Sequence, residues 1–312
     1  MKKAGLVVIV THAITANKVL NKPALPTQHA MLEVVGLYCY PIKSCGRVTL
    51  TKCDITPMGL VGDRQWMLVD DQGVFLSQRT LPIMGLIDIS LNQSNHHLTL
   101  NAPDMPTLTV TPEQTTGYMS VIVWKDHVKA EVAETHINDW FSEYLNQPCR
   151  LVRFGQTSQR LVDPEFTNGN KQVAFADGFP LLVTHMSTLE QLNQQLQAQN
   201  HPHVTMQRFR PNIVVKSDLK PQDEYRWDSI YNQQFKIDLV KPCSRCLVTN
   251  LDPKTASKTG NTVLSTLAQR HRLNNKAIFG INGISNQSGA ITLGDQLEIH
   301  YQNTTEDQLT SK

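Results

Sequence analysis

The stretch Val240-Lys241-Pro242-Cys243-Ser244-Arg245-Cys246-Leu247-Val248-Thr249 sets two cysteines in a Cys-x-x-Cys spacing with a lysine and an arginine beside them. Nearby cations favour the thiolate, the form that ligates soft metals and attacks electrophiles. One of the two is therefore a candidate for metal or nucleophilic chemistry, against the ordinary fate of cysteine as a small buried hydrophobe. A structural zinc site would require two more ligands, and the chain has no second Cys-x-x-Cys. A thioredoxin-type pair would open a helix, whereas Leu247-Val248-Thr249 reads as strand.

Three further clusters could assemble an anion site. Tyr40-Pro41-Ile42-Lys43-Ser44-Cys45 ends a strand with a cation and a hydroxyl, Gly62-Asp63-Arg64-Gln65-Trp66 puts a guanidinium before an apolar strand, and Arg208-Phe209-Arg210-Pro211-Asn212 holds two more. The planar fork of arginine suits phosphates and hydrogen-bonding heterocycles. Taken singly, each arginine is more often a surface ion-pair partner. Asp177-Gly178-Phe179-Pro180 is an acidic loop ahead of the apolar run Leu181-Leu182-Val183, and on its own it reads as a turn. His185, His136 and the pair His96-His97 lack ligand spacing.

The elements that must carry these groups are mostly strands. Short β-rich runs are expected at Val34–Tyr40, Val48–Ile55, Gln65–Val69, Val74–Ser77, Leu86–Leu91, Leu98–Leu100, Leu108–Val110 and Val121–Val123, a spacing that suggests a barrel or sandwich. Asp70-Asp71-Gln72-Gly73 supplies the turn of a hairpin over Gln65–Gln78. Ile137, Trp140, Phe141, Tyr144 and Leu145 share one helical face ahead of Pro148, and this helix is expected at a domain boundary. Ser187-Thr188-Leu189-Glu190 has the form of a capping box opening a second helix. Beyond it, strands are expected at Asn212–Val215, Phe235–Val240, Leu247–Thr249 and Ala290–His300, with one helix near Val263–His271.

At 312 residues the chain is long enough for two domains, and 40% hydrophobic with 18% charged residues is an ordinary globular balance. The formal net charge of +2 gives no general attraction to nucleic acid or anionic lipid. Six unevenly spaced cysteines do not make a disulfide framework, which fits a reducing, cytoplasmic setting. No apolar run reaches the length of a membrane span, so no integral membrane segment is expected. Residues 1–30 form an extension whose status the sequence leaves open, with a basic start and a short apolar stretch.

The motifs taken together, Tyr-Pro-Ile-Lys-Ser-Cys, Gly-Asp-Arg-Gln-Trp, Ala-Asp-Gly-Phe-Pro-Leu-Leu, Arg-Phe-Arg-Pro-Asn-Ile-Val-Val and Lys-Pro-Cys-Ser-Arg-Cys-Leu-Val-Thr-Asn-Leu-Asp-Pro, closely resemble MOSC proteins of the bacterial YcbX and mitochondrial amidoxime-reducing type, from about Met31 to His300. The resemblance implies an α+β, predominantly β fold: an N-terminal β-barrel domain over 31–150, then a β-barrel-like MOSC domain over 155–302 with inserted helices, and a polar tail at 303–312. It implies a molybdenum cofactor (molybdopterin) between the domains. Cys246 would ligate the metal, a soft thiolate on a metal already held by dithiolene sulfurs. Lys43, Ser44, Arg64, Arg210, Asn212, Ser244 and Arg245 would hold the pterin and its phosphate. Asp177 would position substrate or shuttle a proton. Relatives of the mitochondrial type carry hydroxyl residues at the two following positions, where this chain has Gly178 and Phe179.

The activity implied is reduction of small N-hydroxylated compounds such as hydroxylaminopurines or amidoximes. Longer YcbX-type relatives add a ferredoxin domain, but this chain has no cysteine after Cys246, so no iron–sulfur cluster is expected in it. Its electrons would come from a separate ferredoxin, flavoprotein or cytochrome b5-like partner. Pyridoxal phosphate is not expected. The rival reading is a non-catalytic carrier of the cofactor or of a Cys246 persulfide, and a third is a redox-sensing thiol pair at Cys243 and Cys246.

Overall fold

The computed structural model describes residues 30–302. The expectations about the N-terminal extension up to residue 29 and about the polar tail from residue 303 lie outside the described residues.

The N-terminal half contains β1 (Leu32–Cys39), β2 (Val48–Leu50), β3 (Lys52–Thr56), β4 (Gly59–Leu60), β5 (Trp66–Val69), β6 (Asp88–Leu91), β7 (Leu98–Asn101) and β8 (Leu108–Val110). A long hairpin of β9 (Thr115–Val123) and β10 (Asp126–Ala133), the helix α1 (Thr135–Leu145) and β11 (Arg150–Arg153) complete it. The C-terminal half contains β12 (Leu181–His185), α2 (Met186–Ala198), β13 (Ile213–Lys216), β14 (Trp227–Tyr231) and β15 (Lys236–Ser244). After these come α3 (Thr262–Arg270), β16 (Arg272–Leu273), β17 (Lys276–Ser285), β18 (Gly289–Thr292) and β19 (Gln296–Tyr301). The chain is thus predominantly β, with three α-helices among the described residues.

Seven strands close into a barrel in the order β12-β13-β1-β19-β14-β15-β17, and β17 returns to pair with β12. Only β12 and β13 run parallel among these pairs, and α2 makes the crossover that a parallel connection requires. Alternation explains the arrangement: in β1 the residues Leu32, Val34, Leu37 and Cys39 are buried while Glu33 and Val35 face outward. The barrel fills with Leu32, Leu37, Leu181, Ile213, Trp227, Phe235, Ile237 and Leu297. Outside it, Leu189, Leu192 and Leu196 of α2 and Val263 and Leu267 of α3 form a second cluster around Phe209 and Phe279, whose rings stack at 3.8 Å.

The N-terminal half holds a four-stranded sheet, β5-β11-β10-β9, and a three-stranded one, β6-β7-β8. Helix α1 buries Ile137, Trp140, Phe141 and Leu145 against them, as its periodicity predicts. The two halves trade strands. β1 belongs to the barrel built mainly from residues 181–301, and β18 pairs with β3 of the N-terminal half.

Several local expectations are corrected. Leu247–Thr249 is not a strand: Leu247–Asn250 is a single 3₁₀ turn, because the Cys246 carbonyl accepts from both the Thr249 amide (3.1 Å) and its hydroxyl (2.9 Å). The capping box does not form, since α2 starts two residues early, at Met186 with His185 as its N-cap, and the Ser187 hydroxyl bonds Nδ1 of His185 (2.8 Å) instead. Val74–Ser77 makes only isolated bridges. The last segment splits into β18 and β19 at a turn through Gly294. No helix is long and apolar enough to cross a membrane among the described residues.

Candidate functional site

The chain between β1 and β5 turns tightly around one carboxylate. Asp63, itself buried, accepts the Tyr40 amide (2.8 Å) and grips Nη1 of Arg64 with both oxygens (2.8 and 2.6 Å). The guanidinium carbons of Arg64 and Arg210 each lie 4.2 Å from the centre of the fully buried Tyr40 ring. Burial lowers the Arg210 pKa to about 10, partly offset by Tyr40, so the group stays charged at neutral pH. Its Nη1 donates to the Cys45 carbonyl (2.8 Å), but among the described residues its buried Nη2 finds no acceptor and the buried Tyr40 hydroxyl no partner.

The second wall comes from the end of β15. Arg245 donates from Nη1 to the Cys243 sulfur (2.9 Å) and from Nη2 to the Phe209 carbonyl (2.7 Å), leaving its buried Nε without a partner among the described residues. Cys243 and Cys246 are half-buried and both line the same cavity. Ser244, between them, is exposed at the strand end and does not line it. Asn212 reaches the cavity, yet its side chain is committed to the backbone: Oδ1 accepts the Leu182 amide (3.1 Å) and Nδ2 donates to the Tyr38 carbonyl (3.2 Å), tying β12 to β1.

The third wall is the 174–179 loop. Lys43 is buried and donates to Oδ1 of Asp177 (2.5 Å) and to the Phe175 carbonyl (2.8 Å). Crowding by the walls would raise the Asp177 pKa, but Lys43, then Arg64 and Arg79, hold the carboxyl well below the usual carboxylate range. Its side chain is nonetheless 72% exposed to the cavity, so it is an ionised acceptor open to a ligand. Trp124, at the tip of the β9–β10 hairpin, donates Nε1–H to the same Oδ1 (3.3 Å). Its ring packs on Phe75 (4.9 Å between centroids) and lies under the Arg79 guanidinium (4.4 Å).

Arg160 holds this loop from behind. It is buried, and donates to the carbonyls of Ala174 (2.8 Å), Ala176 and Asp177 (2.9 Å), while its Nε pairs with Asp126 (2.8 Å). Neither Arg160 nor Trp124 was among the residues singled out from sequence. Arg160 stands alone between Gln159 and Leu161, with no cluster around it. Trp124 reads as the end of an apolar strand, although the two-residue loop it opens, between paired Val123 and Asp126, ordinarily takes glycine or asparagine. Its φ is +58°, and Ser44 (+68°), Arg64 (+47°) and Arg210 (+53°) share the left-handed region. Each costs on the order of 1–3 kcal/mol, held by surrounding contacts.

Lys43, Ser44, Arg64, Asp177, Arg210, Asn212, Arg245 and Cys246 thus line one cavity of about 150 Å³; of the residues expected there, only Ser244 stands apart. A larger space of about 680 Å³ adjoins it, sharing Trp124, Asp177, Gly178 and Phe179 as a common wall. Among the described residues no group of three or more His, Cys, Asp or Glu could cage a metal ion. A metal here would bring most of its ligands with it.

The sequence matches the MOSC N-terminal beta barrel domain over residues 31–148 and the MOSC domain over residues 170–298. It is 30% identical to mitochondrial amidoxime reducing component 2 of Rattus norvegicus, an alignment covering 93% of this chain and 91% of that protein. It is 26% identical to molybdenum cofactor sulfurase of Homo sapiens over 72% of this chain and 27% of that protein. A crystal structure of the YuaD protein from Bacillus subtilis superposes with TM-score 0.40 at 12% identity, covering 88% of this chain and 97% of that one. The chain belongs to the MOSC family.

Proposed function

We propose that this protein binds a molybdenum cofactor and reduces small N-hydroxylated compounds with electrons from a separate redox protein. The observation that carries this reading is a cysteine, Cys246, facing a cavity whose walls hold Lys43, Arg64, Arg210 and Arg245, with Arg210 Nη2 and Arg245 Nε buried and lacking acceptors among the described residues. Buried donors without partners are costly, and an anionic, hydrogen-bonding ligand satisfies them. The donor set suits such a cofactor: guanidinium and ammonium groups for a phosphate and a pterin, and a thiol for a soft metal. When bound, the cofactor supplies the two-electron removal of oxygen from R–NHOH, with two protons, to give R–NH₂ and water.

The chain's own part is orientation and electrostatics. Cys246 offers the metal-binding sulfur, Arg64, Arg210 and Arg245 offset negative charge, and Lys43 stands behind Asp177. Because Lys43 keeps Asp177 ionised, its carboxylate accepts a hydrogen bond from the substrate nitrogen rather than delivering a proton. Protein expressed in a host that makes molybdopterin is expected to carry near-stoichiometric molybdenum and pterin, lost in Cys246→Ser, and to reduce an amidoxime with a reduced viologen as donor. Full metal content and turnover in Cys246→Ser would sink the assignment.

The relative named molybdenum cofactor sulfurase supports a second reading, a carrier of cofactor or of sulfur on Cys246. Transferable sulfur on Cys246 without bound molybdenum would favour it.

A further inference from the structure

The larger of the two adjoining spaces has no part in holding a cofactor in the reading above. Trp124, Asp177, Gly178 and Phe179 line both spaces, and Leu161, 55% exposed, lines the larger one. Arg79 and Phe75, which pack on the Trp124 indole, line the inner cavity only. The indole surface turned toward the outer space is therefore bare of both, and Trp124 is 41% exposed. Phe179 is steadied by an edge-on contact with Phe166 (5.5 Å), whose ring in turn carries the Lys241 ammonium at 4.3 Å. The outer space is thus lined by two aromatic side chains and an aliphatic one next to a carboxylate. Both hydrogen bonds made to that carboxylate, from Lys43 and from Trp124, fall on Oδ1, leaving Oδ2 with none among the described residues.

A bulky side chain kept at φ +58°, in a hairpin loop where glycine or asparagine is the easy choice, marks a position whose side chain is needed there. We propose that the outer space is a ring-recognition subsite, in which Trp124 and Phe179 take the face of a planar aromatic group while Oδ2 of Asp177 accepts from an N–H borne on that ring. Trp124 is then a specificity-determining residue: it selects aryl or heteroaryl nitrogen compounds over aliphatic ones with the same polar head. The placement of that head at the inner cavity rests on the reductase reading; the binding of the ring does not.

Benzamidine and acetamidine share a planar N–H-donating cation and differ by the ring, and neither can be reduced at nitrogen–oxygen. Of the four tryptophans, Trp66, Trp140 and Trp227 are buried, so acrylamide quenching of the exposed indole reports on Trp124. Benzamidine is expected to shield Trp124 from acrylamide, and by calorimetry to bind about tenfold more tightly than acetamidine, the worth of one good aromatic contact. Trp124→Ala should remove that preference, so that the two amidines bind equally, and Trp124→Phe should keep most of it. Asp177→Asn should weaken both ligands alike. Equal binding of the two amidines by the wild type, or a preference untouched in Trp124→Ala, overturns the proposal, and the wild-type quenching measurement stands even where a variant fails to fold. Absence of turnover with intact benzamidine preference would count against the reductase reading alone.

Discussion

Arg160 ties the 174–179 loop to Asp126 of β10 without touching the cavity's thiols. Its guanidinium is the shared partner of the Ala174, Ala176 and Asp177 carbonyls and of the Asp126 carboxylate. Arg160→Gln removes the charge and leaves those carbonyls short of donors, so a loss of about 2–3 kcal/mol is expected, read as a lower urea midpoint at unchanged slope. Amide exchange should quicken around residues 174–178 while β14 and β19 stay protected. Uniform loss of protection would instead make Arg160 a general core residue. That Lys43, Arg64, Arg210, Arg245 and Cys246 line one cavity could be expected only from the ordered motifs that resemble the MOSC family, since singly each arginine reads as a surface ion-pair partner. Arg160 and Trp124 were not legible, since what gives each its role is a partner far along the chain: 14 to 17 residues on for the carbonyls, 53 for Asp177. Ser244 shows the converse, a residue inside the motif that faces outward on a strand whose neighbours face the cavity.

At the scale of elements, the barrel closes where β17 meets β12, and Gly280 is the point of closest approach. It has φ +75°, and a Cβ there would stand 2.7 Å from Cγ2 of Thr184 and 2.8 Å from the Val183 carbonyl. Gly280→Ala should therefore cost roughly 3 kcal/mol, from strain plus crowding, and lower the thermal midpoint; a change below about 0.5 kcal/mol would mean that the seam is pliable. The same glycine hid the strand. Lys276–Ser285 contains Gly280, Asn282 and Gly283, which in sequence look like turn punctuation rather than the interior of a ten-residue strand. The Leu247–Val248–Thr249 run misled in the other direction: three apolar or β-branched residues are too few for periodicity to separate a strand from a 3₁₀ turn.

For the molecule as a whole, three buried groups set the response to acid. Burial lowers the pKa of His185 and of His271 to about 4 each and raises that of Glu224 to about 7. Between about pH 4.5 and 6.5 the unfolded chain holds protons on both histidines and none on Glu224, whereas the folded chain holds one on Glu224 and none on the histidines. The unfolded state is ahead by one proton, so stability should fall by roughly 1.4 kcal/mol per unit as pH drops through that window. In Glu224→Gln the difference becomes two protons and the slope should double; denaturant titrations at stepped pH would measure it, and an unchanged slope would refute the assignment. Little of this was readable beforehand, because His185 carries no ligand spacing and its burial beside Trp227 and Glu224 follows from barrel closure.

That closure has a bearing on synthesis. Leu32 pairs with Leu297 and Glu33 with Gln296, so β1 is completed by the last strand among the described residues. At about 5–20 residues per second a ribosome spends tens of seconds between the two. β13 covers one edge of β1 once residues 213–216 are made, while on the other edge β2 pairs only Leu37–Cys39 and the Leu32–Glu33 end waits for β19. Closure of the barrel therefore cannot precede the synthesis of β19, however early β1 is made.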